Sequence, residues 1–196
     1  MLIIGVTGGI ACGKSAVVAE MKNFGAEVLN LDEVTHELLQ PGGILFEIYV
    51  RHFGKKILDS SGFMDKKIVA EIIFRDRSER VWINSVAHPV LLNFTRDFLE
   101  KNSVCGKKIV VLEVPLLFQA GWEILCDEVW AVTVNREEQI SRLINRDKIT
   151  RDQAIAKINS QMPVEEICAR SDVVIENDKT LPELREKISE LMKSLN

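Results

Sequence analysis

Residues 3–18, "IIGVTGGIACGKSAVV", decide how the rest of the chain is read. An apolar run ends in two glycines, and a lysine and a serine then open a helical pattern. The spacing is G-x-x-x-x-G-K-[ST], carried by Gly8, Gly13, Lys14 and Ser15. A bare backbone at a strand-to-helix turn leaves amide N–H groups free to converge on an anion, and the helix N-terminus adds its positive end. In such a loop the lysine serves the β- and γ-phosphates of a nucleotide and the hydroxyl serves Mg²⁺. The stretch is not G-x-G-x-x-G, so a dinucleotide-binding turn is disfavoured.

The bulk composition narrows the class. The chain has 196 residues, 46% hydrophobic and 28% charged, enough for one sizeable core with insertions. A formal net charge of −4 speaks against a general nucleic-acid coat. No apolar run approaches the roughly 18 residues of a membrane span. The start "MLIIGVTGG" is too short and lacks the basic residues of a signal peptide. Cys12, Cys105, Cys126 and Cys168 are scattered without a C-x-x-C pair, which favours a reducing cytoplasm over a disulfide scaffold or a zinc site. No membrane or nucleic-acid partner is expected, and the chain is expected to be a monomer.

Outward from the loop, five apolar runs read as buried strands: "LIIGVTG", "AEVLNLD", "KIVVLEVPLL", "EVWAVTV" and "DVVIEN". Continuous Val/Ile-rich runs suit a parallel sheet covered on both faces. Helical patterns separate them. "KSAVVAEMKNFG" puts Val17, Val18, Met21 and Phe24 on one face and closes at Gly25. "REEQISRLINRD" groups Ile140, Leu143 and Ile144, and "LPELREKISELMKSLN" is amphipathic from near Pro182. Strand–helix alternation implies an α/β, P-loop fold: a parallel five-stranded sheet flanked by helices. Between Asp32 and Lys108 the rhythm breaks, and the sequence reads as helices interrupted by Pro41-Gly42-Gly43 and by Gly62. The expected organisation is a single domain. Its core is 1–32, 108–135 and 166–196, with a helical insertion over 33–107, placed over the sheet's ligand edge, and a lid over 136–165.

Some residues carry candidate chemistry. Asp32 is expected at the carboxyl end of the second strand, where it could take a proton from an attacking hydroxyl or hold Mg²⁺ through water; equally, it could cap the helix that follows. Glu113 ends the strongest apolar run and suits a second Mg²⁺ anchor or an ion pair. Arg142 and Arg146 stand one helical turn apart, as phosphate-closing arginines would. Arg136, Lys148 and Arg151 add to the local charge, but acids are interleaved and a solvated face explains Lys148 and Arg151. His88-Pro89 lies inside the helical insertion, while His36 and His52 have no visible partner. Cys12 sits in the phosphate loop, where a small buried side chain is the simpler account of it.

Together these segments resemble the dephospho-coenzyme A kinase family over nearly the whole chain. "VTGGIACGKS" is similar to its opening loop, and "AEVLNLDEVTHELLQPGG" to its second-strand segment. "FRDRSERVWINSVAHPVL" resembles its His-Pro insertion and "VLEVPLLFQAG" its Pro-Leu-Leu-Phe stretch. "QISRLINRDKITRDQAIAKINSQMPVEE" resembles its lid and "SDVVIEND" its last strand. The resemblance implies transfer of the γ-phosphoryl group of ATP to the ribose 3′-hydroxyl of dephospho-coenzyme A, with Mg²⁺. It implies catalytic roles for Asp32 as base, Lys14 and Arg142. An ATP site would comprise Gly8, Gly9, Ala11, Cys12, Gly13, Lys14, Ser15, Ala16, Arg146 and Asn177, the last near the adenine. His88 and Leu116 would lie on the acceptor side, and Ser15 and Glu113 on the metal. Ala11 and Cys12 stand where the family usually has Gly and Ser. Asn30 stands for its first Asp, Gln119 for a Glu, and Asp178-Lys179 for a glycine turn. Rivals are another P-loop small-molecule or nucleotide kinase, and a non-enzymatic P-loop regulator suggested by "NRDK" at 145–148. No D-x-x-G follows the third strand to support the regulator.

Overall fold

The structure is a computed structural model that describes residues 1–195. It divides into two compact units: Met1–Asn30 together with the chain from Asn102 onward, and Leu31–Lys101.

The first unit holds five parallel strands: β1 (Leu2–Gly8), β2 (Glu27–Asn30), β3 (Ile109–Glu113), β4 (Glu128–Thr133) and β5 (Val173–Glu176). They are ordered β2-β3-β1-β4-β5, so β1 is central. Ile4 stands beside Val111 of β3 on one side and Glu128 of β4 on the other. Because the chain passes from β3 to β4 across β1, the topological switch falls at the carboxyl end of β1, where open α/β sheets bind ligands. That end is the glycine-rich loop.

The strands form where the sequence is continuously apolar, and every residue of β3 is buried. One face of the sheet carries Ile4, Val6, Val111, Trp130, Val132 and Ile175. Against it pack Val17, Val18 and Met21 of α1 (Lys14–Asn23) and Leu184, Ile188 and Met192 of α9 (Leu181–Ser194). Each such side chain contributes about 1.5–3 kcal/mol on full burial. Phe24 departs from the expected α1 face. It is the C-cap residue, 43% exposed, because the helix ends one residue before it and the chain turns at Gly25 (φ 88°). A reciprocal capping box between Thr180 and Glu183 starts α9.

Residues 136–169 contribute α6 (Arg136–Asp147), α7 (Arg151–Asn159) and α8 (Val164–Ala169) to the same unit. Ile140, Leu143 and Ala154 form a small core there, and Ile10 and Ala11 of the glycine-rich loop pack against it.

The second unit contains α2 (Leu31–Leu38), α3 (Ile44–Phe53), α4 (Lys66–Arg75) and the start of α5 (Arg77–Val104). Its one strand-like contact among the described residues is the antiparallel bridge Leu58–Met64. The long helical pattern after Gly62 splits at Asp76, whose carboxylate accepts from the N–H groups of Ser78 and Glu79 and so caps α5. Pro89 lies inside α5. The unit's core includes Leu45, Phe46, Tyr49, Phe53 and Ile57. Trp82 stacks on His52 with centroids 3.6 Å apart and meets Phe53 edge-on.

Candidate active site

The glycine-rich loop is built by close approach. At Gly8 a Cβ would come 2.2 Å from Val132 O of β4, so only glycine lets β1 leave the sheet there. At Gly13 φ is 88°, and a Cβ would lie 2.2 Å from Asn177 Nδ2. Gly13 caps α1, whose first two residues are Lys14 and Ser15. Thus both motif side chains stand at the positive end of a helix.

Lys14 Nζ donates to Gly8 O at 2.9 Å and to Gly9 O at 3.0 Å, which folds the ammonium back over the loop. Ser15 Oγ donates to Glu113 Oε1 at 3.0 Å, and Asn30 Nδ2 donates to Glu113 Oε2 at 2.9 Å. The ends of β2 and β3 and the start of α1 therefore meet at one carboxylate, itself buried. A hydroxyl and a carboxylate are the hard oxygen donors that suit Mg²⁺. Among the described residues no three His, Cys, Asp or Glu side chains cluster as a metal cage. The donor set fits an ion that is held mainly by nucleotide phosphates and steadied by the protein.

Asn177 follows β5, and its Nδ2 donates to Cys12 O at 2.9 Å, bracing the loop from the end of the sheet's edge strand. Arg142 binds the same junction: its Nη2 donates to Asn177 O at 3.0 Å and its Nε to Glu138 Oε1 at 2.8 Å. Arg146 does not follow it to the loop. Its Nε donates to Asp147 Oδ1 at 2.8 Å, and Asp147 also takes Lys157 at 2.7 Å. Those two cations hold the Asp147 carboxyl down at about 2. Arg151 pairs with Glu137, and Lys148 is exposed at the left-handed end of α6, so both occupy the solvated face expected of them.

Cys12 is 2% exposed, its thiol pushed up by burial and lying 3.6 Å from Gln139 Nε2. It is a packing residue whose backbone, not its thiol, belongs to the loop. Asp32 is not in β2. The strand ends at Asn30, and Asp32 is the exposed second residue of α2, in the first turn where an acid complements the helix dipole. It therefore sits inside the helix rather than capping it. His88 is exposed on α5 and Leu116 is 48% exposed after β3. Sequence reasoning missed Gln139 and Gln161, which bond to the backbone of Ile10. Neither stands in a motif that marks it.

Comparison with known proteins accounts for this arrangement. The dephospho-CoA kinase family model matches residues 2–183. The chain belongs to the dephospho-CoA kinase family. A dephospho-CoA kinase of Carboxydothermus hydrogenoformans is 38% identical over 186 residues, covering 95% of this chain and 90% of that one. The crystal structure of TT1252 from Thermus thermophilus superposes with a TM-score of 0.83 at 30% identity, covering 100% of this chain and 98% of that one. A dephospho-CoA kinase from Campylobacter jejuni gives 0.73 at 25% identity, covering 98% and 96%. Family membership bears out the P-loop fold and the kinase reading, and removes the regulator suggested by "NRDK".

Proposed function

We propose that the phosphate loop and its neighbours divide the work of moving the γ-phosphoryl group of ATP onto the ribose 3′-hydroxyl of dephospho-CoA. ATP-dependent phosphorylation of dephospho-CoA is the activity of the family to which the chain belongs. The residue roles are our reading, and the Ser15–Glu113–Asn30 cluster beside Lys14 is the observation that carries it.

In this reading the backbone of Gly8, Gly9, Ala11, Cys12, Gly13, Lys14, Ser15 and Ala16 cradles the phosphates, and Lys14 leaves its resting carbonyls for the β- and γ-oxygens. Asn177 borders the adenine. Arg142, already at the Asn177 junction, neutralises charge on the transferring group. Arg146 joins it only by leaving Asp147. Asp32 accepts the hydroxyl proton as the acceptor oxygen bonds to Pγ and the bond to ADP breaks, so the proton ends on the carboxylate and the electron pair on ADP. His88 and Leu116 serve the acceptor. Ser15 and Glu113 would hold Mg²⁺, which supplies charge neutralisation on the phosphates when bound. Catalysis here is mostly positioning and electrostatics. No described helix is long and apolar enough to cross a membrane. The four cysteines are free, and in our reading the setting is a reducing cytoplasm.

The test is kcat/KM for dephospho-CoA, AMP and adenosine at fixed Mg-ATP. Dephospho-CoA is expected to be preferred by at least about 100-fold, because binding energy from its remote arm orients the reacting hydroxyl. Equal or better use of AMP would replace this reading with a nucleotide kinase.

A further inference from the structure

The tip of the phosphate loop contains a turn that its sequence does not favour. Cys12 N–H donates to Gly9 O at 3.4 Å, closing the four residues Gly9–Cys12, and Ala11 in third place has φ 60°. A positive φ at the third position marks a type II turn, where glycine is the usual residue. The type I alternative differs mainly by a flip of the peptide between the second and third residues, here Ile10–Ala11. The left-handed conformation costs an alanine roughly fivefold or more in population. The turn as observed therefore needs outside support.

Two glutamine amides supply it. Gln139 Nε2 donates to Ile10 O at 2.8 Å, on the Ile10–Ala11 peptide, and Gln161 Oε1 accepts from Ile10 N at 2.7 Å, on the Gly9–Ile10 peptide before it. Ile10 O belongs to the very peptide whose flip is in question. A peptide is planar and trans, so its N–H points opposite to its C=O. Fixing Ile10 O toward Gln139 aims Ala11 N–H the other way. Gln139 is 9% exposed, and Ile10 and Ala11 pack on the core of α6 and α7. The division of labour proposed above uses neither glutamine.

We infer that Gln139 and Gln161 are positioning residues that hold Ile10 in this turn, Gln139 fixing the flip of the Ile10–Ala11 peptide that presents Ala11 N–H to the nucleotide phosphates and Gln161 anchoring the Gly9–Ile10 peptide before it. The inference rests on the reading of this loop as the ATP cradle. It makes α6 and the segment after α7 part of the nucleotide site through the backbone of one residue.

Gln139→Met and Gln161→Met keep side-chain length and remove the hydrogen bond. Each is expected to raise the Kd of Mg-ATP about 3- to 10-fold, as loss of one hydrogen bond predicts. Their kcat at saturating ATP and KM for dephospho-CoA should stay within twofold of wild type, which separates positioning from general damage. Gln139→Glu and Gln161→Glu add equal charge at equal volume, yet only the carboxylate at position 161 keeps its bond, since it still accepts from Ile10 N–H. The carboxylate at position 139 loses the donor and faces a carbonyl. Mg-ATP should therefore bind Q161E at least about fivefold more tightly than Q139E. Adding Ala11→Gly to Gln139→Met should recover most of the loss, because glycine accepts the left-handed φ without cost. Gln161 is half-buried at the edge of a cavity of about 320 Å³, so its two variants carry the test if those at 139 fail to fold. Wild-type affinity in the Met variants, or equal affinity in the two Glu variants, would overturn the inference. Lys14→Ala is run alongside. If it keeps normal turnover, the cradle reading itself fails. If it loses turnover while the glutamine variants match wild type, only the positioning role fails.

Discussion

The phosphate loop and the helical unit Leu31–Lys101 are held by different forces. In the loop, polar groups answer polar groups at fixed angles: Lys14 on the carbonyls of Gly8 and Gly9, Asn177 on Cys12 O, two glutamines on Ile10. In the helical unit the order comes from apolar and aromatic packing around Leu45, Tyr49, Phe53 and Trp82, and large side chains such as Phe74 (92% exposed) remain in solvent. Directional bonds demand particular residue types at particular places. Packing demands volume and tolerates exchange. Chemistry should accordingly fail sharply in the first region, and stability gradually in the second.

Asp32 offers the sharpest way to break that division, because it stands in the first turn of the helical unit's first helix yet is the residue we propose as the base. Asp32→Asn keeps its shape and its place in the first turn while removing its basicity. We expect kcat to fall by about 10²-fold or more, with Mg-ATP affinity changed far less and the melting temperature nearly unchanged. A variant with wild-type kcat and a lowered melting point would return Asp32 to a purely helical role.

The same division explains what could be read from sequence alone. The five strands were legible because buried parallel strands are continuous apolar runs, and the loop was legible because its backbone geometry dictates Gly8 and Gly13 and phosphate chemistry calls for Lys14 and Ser15 beside them. The end of β2 was placed two residues too late. In "NLDEVTHEL" the buried positions Leu31 and Val34 already follow a helical spacing, and the leucines that flank Asn30 hide the change. Helix spacing groups Arg146 with Arg142, but Arg146 pairs instead with its sequence neighbour Asp147, and the Lys157 that shares this carboxylate from ten residues on is brought there by the packing of α7 on α6. The glutamine bonds to Ile10 span 129 and 151 residues, and no local pattern announces them.

Leu45→Ala probes the packed side. Leu45 is fully buried in the helical unit, so the substitution should cost about 2–5 kcal/mol in chemical denaturation, through lost burial and the cavity left behind. Mg-ATP affinity at a temperature where the variant remains folded should match wild type. A several-fold loss of nucleotide affinity without loss of stability would mean that this core sets the phosphate loop, and the contrast between the two regions would collapse.

The smallest effect is expected where one polar exchange replaces another, at Asn30. Its amide donates to Glu113 Oε2 while Ser15 donates to Oε1, so the buried carboxylate is satisfied by two neutral groups. Asn30→Asp would put a second carboxylate at hydrogen-bond distance. Two such acids repel unless a proton or a cation lies between them. Metal-free, the variant should lose about 1–3 kcal/mol relative to wild type at pH 8. A carboxyl pair that binds its proton more tightly when folded loses stability as pH rises, so the deficit should shrink toward pH 5. Millimolar Mg²⁺ at pH 8 should shrink it as well, because the ion replaces the shared proton. Thermal melts at two pH values, with and without Mg²⁺, make the comparison. A deficit indifferent to both would place the introduced carboxylate away from Glu113 and remove the oxygen-donor cluster from the site. A deficit that responds to both would show that the polar side of the molecule is tuned by charge, as the packed side is tuned by volume.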